Sequence, residues 1–584
     1  MSQVFAGAKH AFVVFVALLP ACAAEAPDSP SGDGSGASAA VPAGGAGRGA
    51  GTGGAGAAGG SGGVGGAAGS GATTNQAGMP GSGGLGAGGG AAGAAAGVAG
   101  MTAGGGGPGG GGRGPGTGGA AAGGASGSTT GGQGGGGSAG MGMGGGPAAD
   151  GSLTDVTTFT PATCTVTPTV TAAAKIGMVG VATFTTDLAG ADRAIIQFGS
   201  STTYTLEAPV AWAATNHQTL ILGMPAGTDV HYRVVVFAGN SACVGADATF
   251  KTGAAPSGAP QNQTPQKGTS SAMPAPGFII AESTSWAYIV NVAGQVVWAY
   301  KFPISLSRAL MSWDGNYLYA REVGPFNAAS GGAIYRVAMD GSGETKLNVS
   351  GGTHHDLVAT PTGIAYPAKQ TAGACDCIYT AAADGSNSKC LVDLDIVFGK
   401  FATGPGSASM EKCHVNAIRY YKDTDSFSVS DREKDAIAFI SSKGEVLGSI
   451  GATPTGTTPN HAKAEGADST TSSTWRVQHG HDQYEPNKLV LWSNGSFMGG
   501  TSKVLHYTIN GATASLDWQY SGTGNSPTLS DAQHLPNGNF MLTNSQTGAV
   551  HEIDASAKLV QSFNGLSKGY SHHRPTLYGP PPGR

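Results

Sequence analysis

Three histidines lie far apart in the chain but at the same position of an internal repeat. His354, His414 and His479 each come at the start of a unit that continues through a turn into further short apolar segments. The ordinary pKa of an imidazole is near 6.5, so at neutral pH it can act as a nucleophile, a base or a hydrogen-bond donor. One histidine is more often structural, but three at one repeat position indicate a shared site.

Arg432 lies 18 residues after His414, on the second strand predicted for the unit that His414 begins. A hairpin between these strands would return the guanidinium to the imidazoles. A permanent planar cation beside several imidazoles disfavours a metal and favours an oxyanion ligand. The alternative interpretation is a surface ion pair between Arg432 and Asp431 or Asp435.

The same segments contain further polar side chains, which we assign by strand alternation. Adjacent residues of a strand point to opposite faces, so the repeat phase favours His354 over His355, while His481 shares a face with His479. The catalytic candidates are His354, His414, Arg432 and His479, and the candidates for binding substrate are His355, Asn416 and His481.

The repeat itself predicts the elements that position these residues. Six units begin near 277, 307, 354, 414, 479 and 530, and each reads as four short strands separated by turns. Four short strands per unit at this period predict an all-β, six-bladed β-propeller over 277–584. In a propeller the innermost strands start at the mouth of the central channel, so the three histidines would share one pocket.

A smaller domain is predicted before the propeller. Residues 152–255 contain several short runs of strand-forming residues separated by turns, which predicts a small β-sandwich, and the pattern resembles a fibronectin type III-like module. Residues 256–276 are rich in Pro, Ser and Gln and are predicted to be a linker.

Glycine composition separates the amino-terminal part from these domains. Residues 31–150 hold 56 of the 103 glycines, four charged residues and no aromatic residue. Such a stretch cannot bury enough apolar surface to offset its ordering entropy, so 23–151 is predicted to be a long disordered tether. The net charge of −5 argues against a nucleic-acid partner.

The first residues predict export. Lys9 and His10 precede an apolar run over 11–19, which is too short to span a bilayer and suits a signal peptide. The segment ending at Cys22 resembles a bacterial lipobox, so 1–22 is predicted to be a lipoprotein-type signal peptide with Cys22 lipidated. The alternative is a plain signal peptide cleaved nearby. We expect an exported protein, lipid-anchored to the outer membrane and facing the periplasm or the cell surface.

Six further cysteines are consistent with an oxidising compartment. Cys164 and Cys243 would close the small domain, and Cys375 and Cys377 would each pair with Cys390 or Cys413. Zinc is the competing interpretation, but the chain has no CxxC pair, so we expect no metal site from the cysteines.

The ordered motifs of residues 270–584 resemble those of the bacterial arylsulfate sulfotransferases (ASST). The motifs are His354-His355-Asp356, His414-Val415-Asn416, Ser430-Asp431-Arg432, Gln478-His479 and a Leu-Pro-Asn-Gly-Asn run over 535–539. The resemblance implies a six-bladed propeller that moves a sulfuryl group from a phenolic sulfate to an acceptor phenol. It also implies no cofactor, neither the nucleotide sulfate donor PAPS nor a metal.

By the same resemblance, His479 takes the place of the family's nucleophile. A neutral imidazole nitrogen attacks the sulfur, and the resulting sulfohistidine is attacked by the acceptor, which gives a ping-pong mechanism. Arg432 would hold the sulfuryl oxygens. His354 and His414 would bind the same oxygens or move protons. Asn416 would orient a ligand or its neighbours.

Two other classes of function fit the sequence. One is a noncatalytic propeller on the cell surface that binds a partner or a glycan. The other is a metal-dependent propeller enzyme that uses the histidine cluster. Nitrophenolate release from p-nitrophenyl sulfate that a chelator abolishes would indicate the metal-dependent enzyme, and no release at all would indicate the noncatalytic propeller.

Overall fold

The computed structural model describes residues 151–212, 217–324, 331–403, 412–465, 476–495 and 501–581. The predicted signal peptide, Cys22 and almost all of the predicted tether lie outside these residues. Within them the regular structure is nearly all β, with one short α-helix, α1 (Asp395–Phe398), and a 3-10 turn over Val156–Thr158. In the part of the chain that is described, no helix has the length and apolar character needed to cross a bilayer.

The first nine strands form two sheets. Their bounds are β1 Thr160–Pro161, β2 Val166–Ala172, β3 Gly180–Thr186, β4 Arg193–Gly199, β5 Leu206–Pro209, β6 His217–Ile221, β7 Asp229–Ala238, β8 Ser241–Val244 and β9 Ala248–Lys251. One sheet has the order β1-β8-β7-β4-β5 with β9 on β7, and the other is β2-β3-β6. Alternate residues of β7 face the shared core, and the Cys164–Cys243 disulfide is present as predicted.

Most of the strands from β10 to β36 follow in six antiparallel groups, and β27 pairs in parallel with its neighbours. Group 1 is β11 Phe278–Ser283, β12 Trp286–Asn291 and β13 Val296–Lys301; group 2 is β14 Leu306–Met311, β15 Tyr317–Glu322, β16 Ile334–Ala338 and β17 Thr345–Lys346; group 3 is β18 Gly352–Thr353, β19 Val358–Thr360, β20 Gly363–Lys369, β21 Asp376–Ala381 and β22 Lys389–Asp393.

The remaining strands complete the series. Group 4 is β23 Val415–Tyr421, β24 Ser426–Asp431, β25 Ala436–Ser441 and β26 Val446–Gly451, followed by β27 His461–Ala464; group 5 is β28 Gln478–Glu485, β29 Lys488–Ser493, β30 Lys503–Asn510 and β31 Thr513–Tyr520; group 6 is β32 Asp531–His534, β33 Phe540–Asn544, β34 Ala549–Ile553 and β35 Leu559–Phe563; the end strands are β10 Gln266–Lys267 and β36 His572–Arg574.

The first strands of successive groups, with β19 taken for group 3, contact one another along the series β11, β14, β19, β23, β28 and β32. The two ends of this region join the other groups, since β36 pairs with β11 of group 1 and β10 pairs with β35 of group 6. The predicted all-β class is therefore confirmed, and the successive sheets are consistent with a propeller. The closed ring of six blades stays a prediction.

Turn chemistry explains why the first strand of a group turns back into the second. Asp314-Gly315 follows β14 and Asn537-Gly538 follows β32, and both glycines adopt positive φ, +77° and +86°. Only glycine adopts this left-handed backbone at little cost, so these dipeptides set the hairpins of groups 2 and 6.

Four charged side chains from different groups, three buried and Arg419 largely buried, form a closed ring of ion pairs, which we call the charge ring. Arg308 Nε lies 3.1 Å from Asp356 Oδ1, and Arg308 Nη1 lies 3.6 Å from Asp531 Oδ2. Arg419 Nη1 lies 3.2 Å from the second oxygen of Asp356, and Arg419 Nη2 pairs with the second oxygen of Asp531. Each arginine therefore bridges both aspartates, and the ring joins groups 2, 3, 4 and 6.

Arg419→Met should lower the free energy of unfolding by about 3–5 kcal/mol, because it leaves two buried carboxylates with half of their cationic partners. Denaturant unfolding followed by tryptophan fluorescence measures this. The control is Lys412→Met, whose ion pair with Asp395 is largely exposed and should contribute less than about 1 kcal/mol. Equal, small losses in both variants would contradict the proposed importance of the charge ring.

Candidate functional site

Four imidazoles from three strand groups meet at one place. The ring centroid of His354 lies 4.6 Å from those of His355 and His414, and the centroid of His355 lies 4.8 Å from that of His414 and 5.6 Å from that of His479. All four residues are 1–2% exposed. We call these four residues the imidazole cluster. The structure thus brings together the three histidines that share a repeat position.

The fold places these residues at the start of the first strands. His414 directly precedes β23, and His479 is the second residue of β28. Arg432 directly follows β24, and its backbone N–H donates to the His414 carbonyl at 2.9 Å. The hairpin expected between the strands of group 4 therefore returns Arg432 to the level of His414.

The alternation argument is wrong at His354 and His355. These residues lie between β18 and β19 and not within a strand, and His355 has a φ of +52°. The left-handed turn directs both rings into the imidazole cluster. His355 Nε2 lies 2.7 Å from His414 Nε2, while His354 Nδ1 lies 3.2 Å from Asp376 Oδ1. His355, assigned to substrate binding, is thus the ring in direct contact with His414.

His481 and Asn416 contact protein groups in the structure. His481 Nε2 forms a 2.7 Å hydrogen bond with Ser428 Oγ on β24. Asn416 donates to the Gln478 carbonyl at 2.5 Å and accepts from Ser430 Oγ at 2.7 Å. Asn416 therefore holds β28 against β23 and β24, and it orients the strand that carries His479.

Arg432 is buried, so the alternative interpretation of a surface ion pair with Asp431 or Asp435 is wrong. It is 6% exposed, and its Nε lies 3.6 Å from Glu433 Oε1. The neighbouring Asp431 carboxylate accepts backbone N–H groups of His414, Glu433 and Lys434 at 2.9–3.2 Å. Burial raises the pKa of Asp431 to about 7, so near neutral pH this carboxyl carries only part of a negative charge.

Burial keeps the cluster imidazoles neutral. It lowers the pKa of His479 to about 3 and the pKa values of His355 and His414 well below the ordinary value, and the charge of Arg432 lowers all three further. A lowered pKa means that the neutral form persists throughout the physiological range. The site therefore combines a buried cation with neutral nitrogen donors and acceptors, which suits an anionic ligand.

A buried network that the sequence analysis missed supports His354 and His414. Lys369 Nζ lies 3.3 Å from Asp376 Oδ2 and donates to the Cys413 carbonyl at 2.8 Å. The Cys375–Cys413 disulfide links the residue before Asp376 to the residue before His414. In the sequence, the available signal was that a cysteine directly precedes Asp376 and another directly precedes His414. The other pair is Cys377–Cys390, so the structure selects one of the two pairings left open.

Asn494 is a second residue that the sequence analysis missed. Its Oδ1 lies 2.8 Å from His479 Nδ1, and its Nδ2 donates to the carbonyls of Ser526 and Leu529 at 2.7 and 3.2 Å. Asn494 is fully buried. It directly follows β29, and its repeat position was the signal available in the sequence.

A cavity of about 100 Å³ lies at the other end of the first strands. Its lining includes 310–311 at the end of β14, 420–422 at the end of β23, and Gln533 of β32, but none of the cluster histidines. Arg308 and Arg419 of the charge ring also line it. The candidate site is the imidazole cluster and not this cavity, because the chemistry-bearing residues are at the strand starts.

Residues 399–571 match the family model for arylsulfotransferase (ASST). Over these residues the chain is similar to the arylsulfotransferase family. The matched range contains His414, Asn416, Arg432 and His479, whereas His354 and His355 precede it. The matched range thus includes the cation and two of the four imidazoles.

Other comparisons give only distant likenesses. A putative 6-phosphogluconolactonase from Bacteroides uniformis ATCC 8492 aligns at 11% identity and a TM-score of 0.32, over 49% of this chain and 81% of that chain. AztD from Citrobacter koseri aligns at 11% identity and a TM-score of 0.25, over 65% of this chain and 98% of that chain. No curated protein matches the sequence.

Replacing both cysteines of the Cys375–Cys413 pair with serine should reduce turnover of an aryl sulfate at least tenfold, because Asp376 and His414 lose their covalent link. The initial rate of nitrophenol release from p-nitrophenyl sulfate measures this. The matched control replaces Cys164 and Cys243, which close the sandwich, and should keep turnover near the wild-type rate. Equal rates in the two double variants would contradict a role for the Cys375–Cys413 link in positioning the site.

Proposed function

We propose that the arylsulfotransferase domain transfers a sulfuryl group from a phenolic sulfate ester to an acceptor phenol through a sulfohistidine at His479. The observation that carries this proposal is the meeting of four neutral, buried imidazoles with the buried guanidinium of Arg432. The family match supports an arylsulfotransferase activity, with a small-molecule donor and acceptor. The ping-pong route is our own proposal.

In the first half-reaction the His479 lone pair attacks the sulfur of the ester. The N–S bond forms, the bond from sulfur to the phenolic oxygen breaks, and its electron pair leaves on the phenolate. Arg432 stabilises the charge that spreads over the sulfuryl oxygens, which is typically worth a factor of about 10²–10³ in rate for one such donor.

The contact between His355 and His414 supplies the proton route. Their Nε2 atoms are 2.7 Å apart, so one ring donates a hydrogen bond to the other. An incoming sulfate ester brings a negative charge, which raises the pKa of the imidazoles facing it and lets one of them take up a second proton from solvent. That proton neutralises the leaving phenolate, and an acceptor phenol returns one when it attacks the sulfohistidine.

One geometric feature favours a metal-dependent enzyme. The imidazoles of His354, His355 and His414 each offer a nitrogen within 4.8 Å of the others, and Asp376 supports His354 as outer carboxylates often support metal-bound histidines. The cation of Arg432 beside these rings opposes a divalent ion. We therefore propose the sulfuryl transfer first and test the metal directly.

Export and lipid anchoring at Cys22 remain part of the proposal. Three disulfides within the described residues support an oxidising compartment. Cys22 itself lies outside the described residues.

Incubation of the purified protein with p-nitrophenyl sulfate should release nitrophenol at a rate that increases with added phenol and is unaffected by a chelator. The reason is that the acceptor, and not a metal, completes the cycle. Loss of release on chelation would support the metal-dependent enzyme. Absence of release with a panel of aryl sulfates would contradict the transferase and favour a binding propeller.

His479→Asn should abolish transfer and the trapped intermediate, because asparagine keeps a donor near the Nδ1 position but has no nucleophilic ring nitrogen. Mass spectrometry of enzyme quenched with donor alone should place one added SO₃ on the His479 peptide of the wild type. The control, His506→Gln, removes a buried imidazole of the same strand group and should retain both signals. An SO₃ group on another peptide would contradict the assignment.

A further inference from the structure

The side-chain amide of Asn494 is held in one orientation. Its Nδ2 donates to two backbone carbonyls, those of Ser526 and Leu529, so its Oδ1 is the atom that faces the ring of His479. An amide oxygen only accepts, and His479 Nδ1 must therefore carry the proton in this 2.8 Å contact. In a neutral imidazole the lone pair is then on Nε2.

The residues at the same repeat position in groups 4 and 6 show what this side chain can do elsewhere in the fold. Asp431 ends β24 and Asn544 ends β33, as Asn494 follows β29. Asp431 Oδ1 accepts from the N–H groups of the two residues after Arg432, and Asn544 Oδ1 accepts from those of residues 546 and 547. In groups 4 and 6 the oxygen thus caps the turn that follows its own strand, and in group 5 the oxygen at this position accepts from His479.

We propose that Asn494 is a positioning residue that fixes the Nδ1–H tautomer of His479 and so presents Nε2 as the attacking atom. This inference rests on the proposed role of His479 as nucleophile. It assigns the sulfohistidine bond to Nε2. It also gives Asn494 a role at the site without any contact between Asn494 and substrate.

The side chain of Asn494 is a neutral amide, and this lack of charge matters for the protonation state of His479. A carboxylate in the same place would accept from Nδ1 equally well, but its charge would stabilise the imidazolium, which has no lone pair to attack sulfur. With the amide, burial holds the pKa of His479 at about 3. The wild-type nucleophile therefore stays neutral as the pH falls well below the ordinary histidine pKa.

The experiment measures the rate of the nitrophenol burst in the first half-reaction. Reactions are run at a series of pH values from 4.5 to 8, and each is quenched at several times. The wild-type burst rate should have no acidic limb near pH 6.5. Asn494→Asp should move such a limb upward into the measured range, by about two to three pH units, because the carboxylate stabilises the protonated imidazole. Asn494→Leu should lower the burst rate about 10–100-fold with little change in KM.

Asn544→Asp is the matched control, since Asn544 holds the same repeat position in group 6 and contacts no cluster histidine in the described structure. It should leave the pH profile unchanged, and thermal unfolding should show that each variant is folded. An Asn494→Asp profile identical to that of Asn544→Asp, with an active wild type, overturns the role of Asn494. An inactive wild type overturns the proposed function instead.

Discussion

The charge ring is the constraint on which the candidate site depends. Asp356 directly follows His355, and its two oxygens accept the backbone N–H groups of Leu357 and Ile418 and form ion pairs with the two arginines. It therefore fixes the turn that carries His354 and His355 against β23, whose first residue follows His414. The 2.7 Å contact between His355 and His414 depends on this carboxylate.

The other aspartate of the ring positions His479. Gly480 lies directly beside His479, and a Cβ at Gly480 would overlap the carboxylate of Asp531. The Gly480 N–H also donates to the Ser530 carbonyl at 3.0 Å. Glycine is required because Asp531 packs against the backbone at this residue.

The same four charges that join the groups thus set the relative positions of the imidazoles. Burying four charges is costly even when they are paired, which favours a role in positioning over one in net stability.

Much of this arrangement could be predicted from the sequence. The repeat gave the strand groups, and the shared repeat position of His354, His414 and His479 predicted that their rings meet, because the first strands of a propeller start at one edge. The placement of Arg432 followed from the hairpin of group 4. These predictions depend only on periodicity, which local sequence encodes directly.

The rest depends on contacts between distant segments. Strand alternation gave the wrong assignment for His355 because a left-handed turn replaces the strand there. The residue types of 354–356 do not predict this turn. Asp376 and Asn494 were missed because each supports an imidazole of another segment, and a polar side chain in a repeat does not reveal which partner it will reach. Arg308 and Asp531 were missed for the same reason.

The chemistry of the site follows from a balance between burial and charge. In the resting protein, burial and Arg432 together hold the cluster imidazoles neutral, so the site combines a guanidinium with several unprotonated nitrogens. In the proposed mechanism a sulfate monoester brings one negative charge, which pairs with Arg432 and makes protonation of His355 or His414 less costly. Binding of the proposed donor would therefore create the acid that its leaving group needs. His479 is held by the neutral amide of Asn494, so the proposed nucleophile would stay unprotonated while its neighbours take the proton.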